Sequence, residues 1–310
     1  MADVFVVIVS YNVEQLLRDC LQSVFASDGV RTEVVVVDNH SSDGSVQMVR
    51  DEFPQARLIA SPHNGGFAYA NNLALRAYLA RPANERPRYV LLLNPDTVVP
   101  PRALAEMVGY LDARPEVGAA GPKLILPDGS LDYACRRSFP TPTVALYRMV
   151  GLSRLFPRSR RFGRYNLTYL SPDVETEVDS VVGAFMLVRG RVLDEVGLLD
   201  ETFFMYGEDL DWAFRIKERG WTIRYNPAVT VLHYKGQSSR QRRARATVEF
   251  YRAMELFYRK HYAPRHSAAM NGVVVAAIRG FRLLTTLSLR VAPLAPLPQS
   301  LTSHRASPAR

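Results

Sequence analysis

The sequence predicts an α/β protein: a mostly parallel sheet flanked by helices, with a C-terminal helical extension. Three observations lead there. Short β-branched or aliphatic runs at residues 4–9, 33–37, 57–60 and 89–93 each end in a polar turn. Helical patterns alternate with these runs, as a parallel sheet covered on both faces requires. The tail beyond about residue 240 then changes character, becoming helical and strongly basic.

The elements follow in order. Residues 13–25 place Leu16, Leu17, Cys20, Leu21 and Val24 on one helical face. Residues 45–52, 67–79 and 101–113 also carry a helical pattern. From 131 to 172 the texture shifts: Arg136, Arg137, Arg148, Arg154, Arg158, Arg160, Arg161 and Arg164 occur with no acid between Asp132 and Asp173. That segment reads as an insertion or lid, since long connections are often functional. Order returns at 178–188, followed by a helix over 206–219 that Gly220 stops. Strands are expected at 222–225 and 229–232. The organisation is thus a domain over 1–240, a basic helical extension over 241–298, and a disordered tail over 299–310.

With 310 residues, 47% of them hydrophobic, the chain can bury a large core. The net charge of +9 is uneven: residues 236–310 hold 13 Lys and Arg against 2 acids, and the rest is nearly neutral. A basic tail suits anionic lipid, nucleic acid or a diphosphate, or is simply a solvated helical surface. Nucleic acid is the least supported, because the charge lacks aromatic interleaving and a recognisable module. Two cysteines, Cys20 and Cys135, exclude a disulfide framework or a cysteine zinc cluster and fit a cytoplasmic setting. The first ten residues read as a buried strand rather than a signal peptide. No uncharged apolar stretch reaches the roughly 18 residues that span a bilayer. The nearest, 271–297, is interrupted by Arg279, Arg282 and Arg290 and suits an amphipathic helix lying on a membrane.

In open α/β sheets ligands bind beyond the carboxyl ends of the strands. The strand ends here are polar: Ser10-Tyr11-Asn12, then Asp38-Asn39-His40-Ser41-Ser42-Asp43-Gly44, then Asn64-Gly65-Gly66, then Asn94-Pro95-Asp96. Each alone is ordinary turn chemistry. The first turn has no glycine, which argues against a dinucleotide site, and there is no Walker phosphate loop. Carboxylates and amides at four successive strand ends suit a nucleotide base, a ribose and a metal-bound diphosphate.

These motifs, with Val7-Ile8-Val9 before the first, Gly183-Ala184-Phe185-Met186-Leu187, and Phe203-Phe204-Met205-Tyr206-Gly207-Glu208-Asp209-Leu210-Asp211, resemble the family 2 glycosyltransferases of the GT-A fold. Within that family the chain is most similar to bacterial dTDP-rhamnosyltransferases of cell-surface polysaccharide assembly. The resemblance implies a metal-dependent, inverting hexosyltransferase. Its donor would be a nucleotide sugar, dTDP-rhamnose first and UDP-linked galactofuranose, glucose or N-acetylglucosamine as alternatives. Its acceptor would be a glycan or a polyprenyl-diphosphate-linked glycan at the inner face of the cell membrane.

Roles carry over by position. Ser10, Tyr11, Asn12, Asn39, Asn64 and Gly66 stand where the family binds the nucleotide sugar, and Asp38 where it recognises the pyrimidine. Asn94 and Asp96 replace the usual Asp-x-Asp, so Asp96 would hold Mg²⁺ or Mn²⁺, with His233 as a second ligand. Asp209 matches the catalytic base, and Glu208 and Asp211 compete for that role. An inactive scaffold is the reading that Asn94 alone would favour. The tail helices are a candidate homodimer interface.

Overall fold

The computed structural model describes residues 2–235 and 243–291. Four strands come first: β1 (Val4–Ser10), β2 (Thr32–Asp38), β3 (Arg57–Ala60) and β4 (Tyr89–Leu93). All seven residues of β1 and all five of β4 are buried. This is why they read as continuous apolar runs: helices cover both faces of the sheet. Those helices are α1 (Glu14–Phe25), α2 (Ser45–Glu52), α3 (Phe67–Leu79) and α4 (Ala103–Asp112).

The chain continues through β5 (Thr97–Val98), β6 (Val117–Ile125), the short helices α5 (Pro142–Met149) and α6 (Leu152–Leu155), β7 (Thr176–Glu177), β8 (Phe185–Arg189), α7 (Gly190–Val196), α8 (Glu208–Glu218) and β9 (Thr222–His233). The sheet order is β3-β2-β1-β4-β8-β6-β9-β5, with β7 beside β9. Strands β3, β2, β1 and β4 pair in parallel, so their carboxyl ends share one edge. Antiparallel β8 joins β4 to β6, and β5 folds back against the end of β9, setting Thr97 opposite His233.

Three expectations change. The strands expected at 222–225 and 229–232 are one strand, β9. Its register against β6 jumps from Pro122–Asn226 to Lys123–Thr230, and Asn226 Oδ1 caps the bulge by accepting from the Ala228 N–H at 3.1 Å. Of 178–188, only the end pairs as an inner strand, because Arg137 and Ser180 form a separate bridge. The start of the arginine-rich segment is not a free lid. Arg136 is 1% exposed and donates to the Ser171 and Leu170 carbonyls at 2.7 and 2.8 Å, tying both ends of that segment together.

Two long helices close the described chain, α9 (Arg243–His261) and α10 (Ala268–Val291). The charge boundary near 240 is not a packing boundary: Ala253 and Phe257 of α9 bury with Phe203, Leu210 and Phe214. α10 lies along α9. Ile278 packs with Tyr251 and Tyr258, Tyr251 bonds Thr285 at 2.8 Å, and Arg279 donates to Glu255 at 2.8 and 3.0 Å. Residues Ala268–Ser288 form a helix long and apolar enough to cross a membrane, with a mean hydropathy of 1.3. This departs from the sequence expectation, because a helix of that length accommodates two arginines. The tail expected at 299–310 lies outside the described residues.

Candidate active site

The site occupies the shared edge where the parallel strands end. Ser10 and Asp38 are register partners there. Ser10 Oγ and Asp38 Oδ1 are buried with no hydrogen-bond partner. The other Asp38 oxygen accepts from the Ser41 N–H at 2.9 Å, which fixes the carboxylate and leaves Oδ1 for a donor N–H. Asn12 adopts a left-handed conformation, φ 54°. Its Oδ1 accepts from the Ser42 N–H at 2.7 Å and its own N–H donates to Ser41 Oγ at 3.0 Å, clamping the first two strand-end loops together. Tyr11 is half-buried on the same loop.

Asn39, Asn64 and Gly66 are tied to one another. Asn39 Nδ2 donates to Asn64 Oδ1 and to the Gly66 carbonyl at 3.1 and 3.2 Å, and Asn39 Oδ1 accepts from the Gly65 N–H at 3.1 Å. Gly66 has φ 92°, and a Cβ there would sit 2.2 Å from the Phe204 carbonyl oxygen. Only glycine permits this approach. The Phe67 N–H then reaches the same carbonyl at 2.8 Å. These three residues therefore brace the loop that leads into α8.

Asp96 and His233 meet where β5 folds onto β9. Asp96 Oδ1 lies 3.2 Å from His233 Nε2, yet the two are not aligned as a hydrogen bond, and both atoms are buried without one. His233 Nδ1 is held 2.9 Å from Asp132, which also binds Lys235. Burial alone would keep the ring neutral, but Asp132 and Asp96 outweigh it and push its pKa up to about 9. A carboxylate oxygen and an imidazole nitrogen, the ring oriented from behind by a second carboxylate, fit a divalent cation. Among the described residues no three acidic, His or Cys side chains converge as a metal cage. Such a cation would take its remaining ligands from phosphate and water, as Mg²⁺ commonly does. Asn94 contributes its main chain: the N–H donates to Ala184 at 3.0 Å and the carbonyl accepts from Thr97 Oγ1 at 2.7 Å.

Tyr206 and Gly207 are both left-handed, φ 70° and 82°, and this turn delivers Glu208 and Asp209 as the first residues of α8. Asp209 is fully engaged. Its Oδ2 accepts from Arg137 at 2.7 Å and from the Gly183 N–H at 3.0 Å, and Oδ1 from the Leu210 N–H at 2.7 Å. Glu208 Oε2 is buried with no partner. Burial, and then the charge of Asp209, push the Glu208 carboxyl up to about 8. Asp211 is turned to α9 and bound to Lys260, His261 and Arg215 at 2.7, 2.8 and 2.9 Å. Burial alone would raise its carboxyl, but His261, Arg215 and Lys260 hold it below the ordinary range. Its bonds to Lys260 and His261 make Asp211 the carboxylate that docks α9 onto α8.

Sequence reasoning missed Arg137, Asp132, Lys260 and His261. The arginine-rich segment was visible, but nothing in it marked Arg137 as the one that buries against Asp209.

Carboxylates thus lie at the carboxyl ends of the parallel strands and at the start of α8. The family model described as glycosyltransferase like family 2 matches residues 2–251, and the chain belongs to that family. It is 30% identical over 285 residues to an N-acetylglucosaminyl-diphospho-decaprenol L-rhamnosyltransferase of Mycobacterium tuberculosis, covering 90% of this chain and 91% of the relative. It is 26% identical to the rhamnosyltransferase WbbL of Escherichia coli, covering 76% and 85%. In fold it is similar to a mannosyltransferase of Pyrobaculum calidifontis solved with GDP-Man and Mn²⁺, with TM-score 0.56, 18% identity, and 95% and 77% coverage. That likeness establishes the GT-A architecture expected from the sequence.

Proposed function

We propose that the protein is an inverting, metal-dependent glycosyltransferase that moves L-rhamnose from dTDP-rhamnose to a polyprenyl-diphosphate-linked glycan in cell-envelope polysaccharide synthesis. One observation carries the chemistry. Ser10 Oγ and Asp38 Oδ1 at the strand ends and Glu208 Oε2 at the start of α8 are buried with no hydrogen-bond partner, and Asp96 Oδ1 and His233 Nε2 face each other at 3.2 Å without forming one. Such atoms are costly unless a ligand satisfies them. The rhamnosyl preference rests on the two rhamnosyltransferase relatives.

Asp38 Oδ1 accepts the pyrimidine ring N–H, with Ser10 beside it. Asp96 and His233 would hold the divalent cation, which when bound would supply positive charge beside the diphosphate leaving group. Glu208 takes the acceptor hydroxyl proton as that oxygen attacks from the opposite face, and a single displacement inverts the centre. Asp209, held by Arg137, keeps α8 and the 183–184 turn in place and raises the basicity of Glu208. The enzyme works peripherally on the cytoplasmic membrane face, with α10 at the lipid surface.

Calorimetric titration with dTDP-rhamnose, UDP-glucose, UDP-galactofuranose and UDP-N-acetylglucosamine, each with and without Mn²⁺, tests the reading. The expected result is Mn²⁺-dependent binding of dTDP-rhamnose, weakened about 10–100-fold in Asp96→Ala and in His233→Ala. Metal-independent binding that Asp96→Ala leaves unchanged would refute it.

A further inference from the structure

A cavity of about 290 Å³ opens between α5, the start of α8 and α9. Its walls include Met149, Tyr165, Leu210, Tyr251, Met254 and Phe257, and Gly207, the residue preceding Glu208, also lines it. The exposed lining is overwhelmingly apolar, which disfavours a sugar ring, whose hydroxyls need matching partners. It suits a flexible hydrocarbon chain, since methionine and aromatic walls adapt to apolar shapes. Two cations flank the region: Arg148 lines the cavity, and Arg245 stacks 4.7 Å over Phe204 in the loop before α8. The apolar surface continues outward on α5, where Leu146 and Val150 are exposed. Met149 links this wall to the Tyr251, Tyr258 and Ile278 cluster beneath α10.

We infer that this cavity holds the first hydrocarbon units of an isoprenoid-diphosphate acceptor, with Arg148 and Arg245 meeting its diphosphate. The inference rests on the glycosyl-transfer reading of Glu208, because the cavity is an acceptor subsite only if the transferred sugar is received there. Charge and chemistry vary together along the ligand: anionic beside the arginines, apolar within. Placing the chain here sets the attached sugar at the carboxylates of α8 while the rest of the lipid leaves along α5 and α10.

The test uses the full chain with saturating dTDP and Mn²⁺, so that the donor diphosphate site is filled. Farnesyl diphosphate and inorganic diphosphate are compared by calorimetry. Farnesyl diphosphate is expected to bind at least about tenfold tighter, since each buried methylene adds severalfold. Ala145→Trp, which fills the cavity, and Met254→Gln, which makes it polar at similar volume, are expected to abolish that difference while leaving dTDP binding unchanged. Retained dTDP binding also reports that each variant is folded. Equal affinity for the two diphosphates, or a difference that survives in both variants, would overturn the proposal. Displacement of farnesyl diphosphate by free N-acetylglucosamine would also overturn it, assigning the cavity to a sugar. If dTDP-rhamnose itself fails to bind, the proposed function falls, whatever the farnesyl comparison gives.

Discussion

Glu208 and Asp209 are neighbours in sequence with opposite surroundings. Asp209 has Arg137 and two main-chain N–H groups; Glu208 has an oxygen with no partner. In a low-dielectric site two adjacent carboxyls do not both ionise freely, and the one without a cation keeps its proton. Unfolded, Glu208 ionises near its ordinary value; folded, only near 8. Between those values the folded chain binds the extra proton, so this group makes stability fall as pH rises. Glu208→Gln is therefore expected to raise stability at pH 8 by on the order of 1 kcal/mol, or roughly 2–4 °C in Tm, while lowering kcat by about 10²–10⁴-fold. In the wild-type enzyme kcat/KM is expected to climb through about pH 8 and flatten above it. A flat profile with an active Glu208→Gln variant would return the role to Asp209.

At the scale of elements, the 203–207 loop is the hinge between the strand-end motifs and α8. Gly66→Ala sets a Cβ against the Phe204 carbonyl at a left-handed position. The expected cost is about 2–3 kcal/mol, read by thermal unfolding, with loss of transfer because Glu208 shifts. This brace also shows how far the sequence could be read. Helix α3 matched its expected limits, since the glycine pair and the apolar spacing are local signals. Strands β3 and β4 matched for the same reason. The bulge in β9 did not, because Asn226 and Pro227 look like a break until β6 supplies a partner that absorbs it. Asp96 with His233, and Asp38 with Ser10, were legible as motif residues. The bracing by Asn39 and Asn64 was not, because the same amide chemistry serves a ligand or a loop. The Arg137–Asp209 pair joins positions 72 apart and involves a residue type that is usually solvated, so no local pattern reveals it.

Over the whole molecule, polarity is arranged in layers. The sheet edge carries the buried carboxylates, α9 covers α8, and α10 presents its outer face. Met270, Val273, Leu284 and Leu287 recur at helical spacing on that face, and Leu283 and Leu284 are 61% and 65% exposed. α10 is bonded to α9 through Tyr251–Thr285 and Glu255–Arg279, and on the proposed reading it lies in a membrane surface rather than crossing it. Flotation with phosphatidylglycerol vesicles is expected to carry the protein and to weaken with salt. Leu283→Asp with Leu284→Asp is expected to reduce bound protein at least about tenfold. Absence of flotation, together with concentration-dependent dimers in sedimentation, would assign the stripe to a second copy of the chain.

The three-way grip of Arg215, Lys260 and His261 on Asp211 bears on how such enzymes exchange parts. A chimaera cut where the charge changes would carry away Lys260 and His261, two of those three partners, and leave the Asp211 carboxylate of α8 with Arg215 alone, two residues from Asp209. A cut in the short turn after His261, by contrast, leaves the carboxylate satisfied and severs the packing of α10 on α9 and the Arg265–Glu218 pair. The chain therefore offers a joint after His261 at which α10 can be exchanged while the grip on Asp211 is kept, and none at the charge boundary.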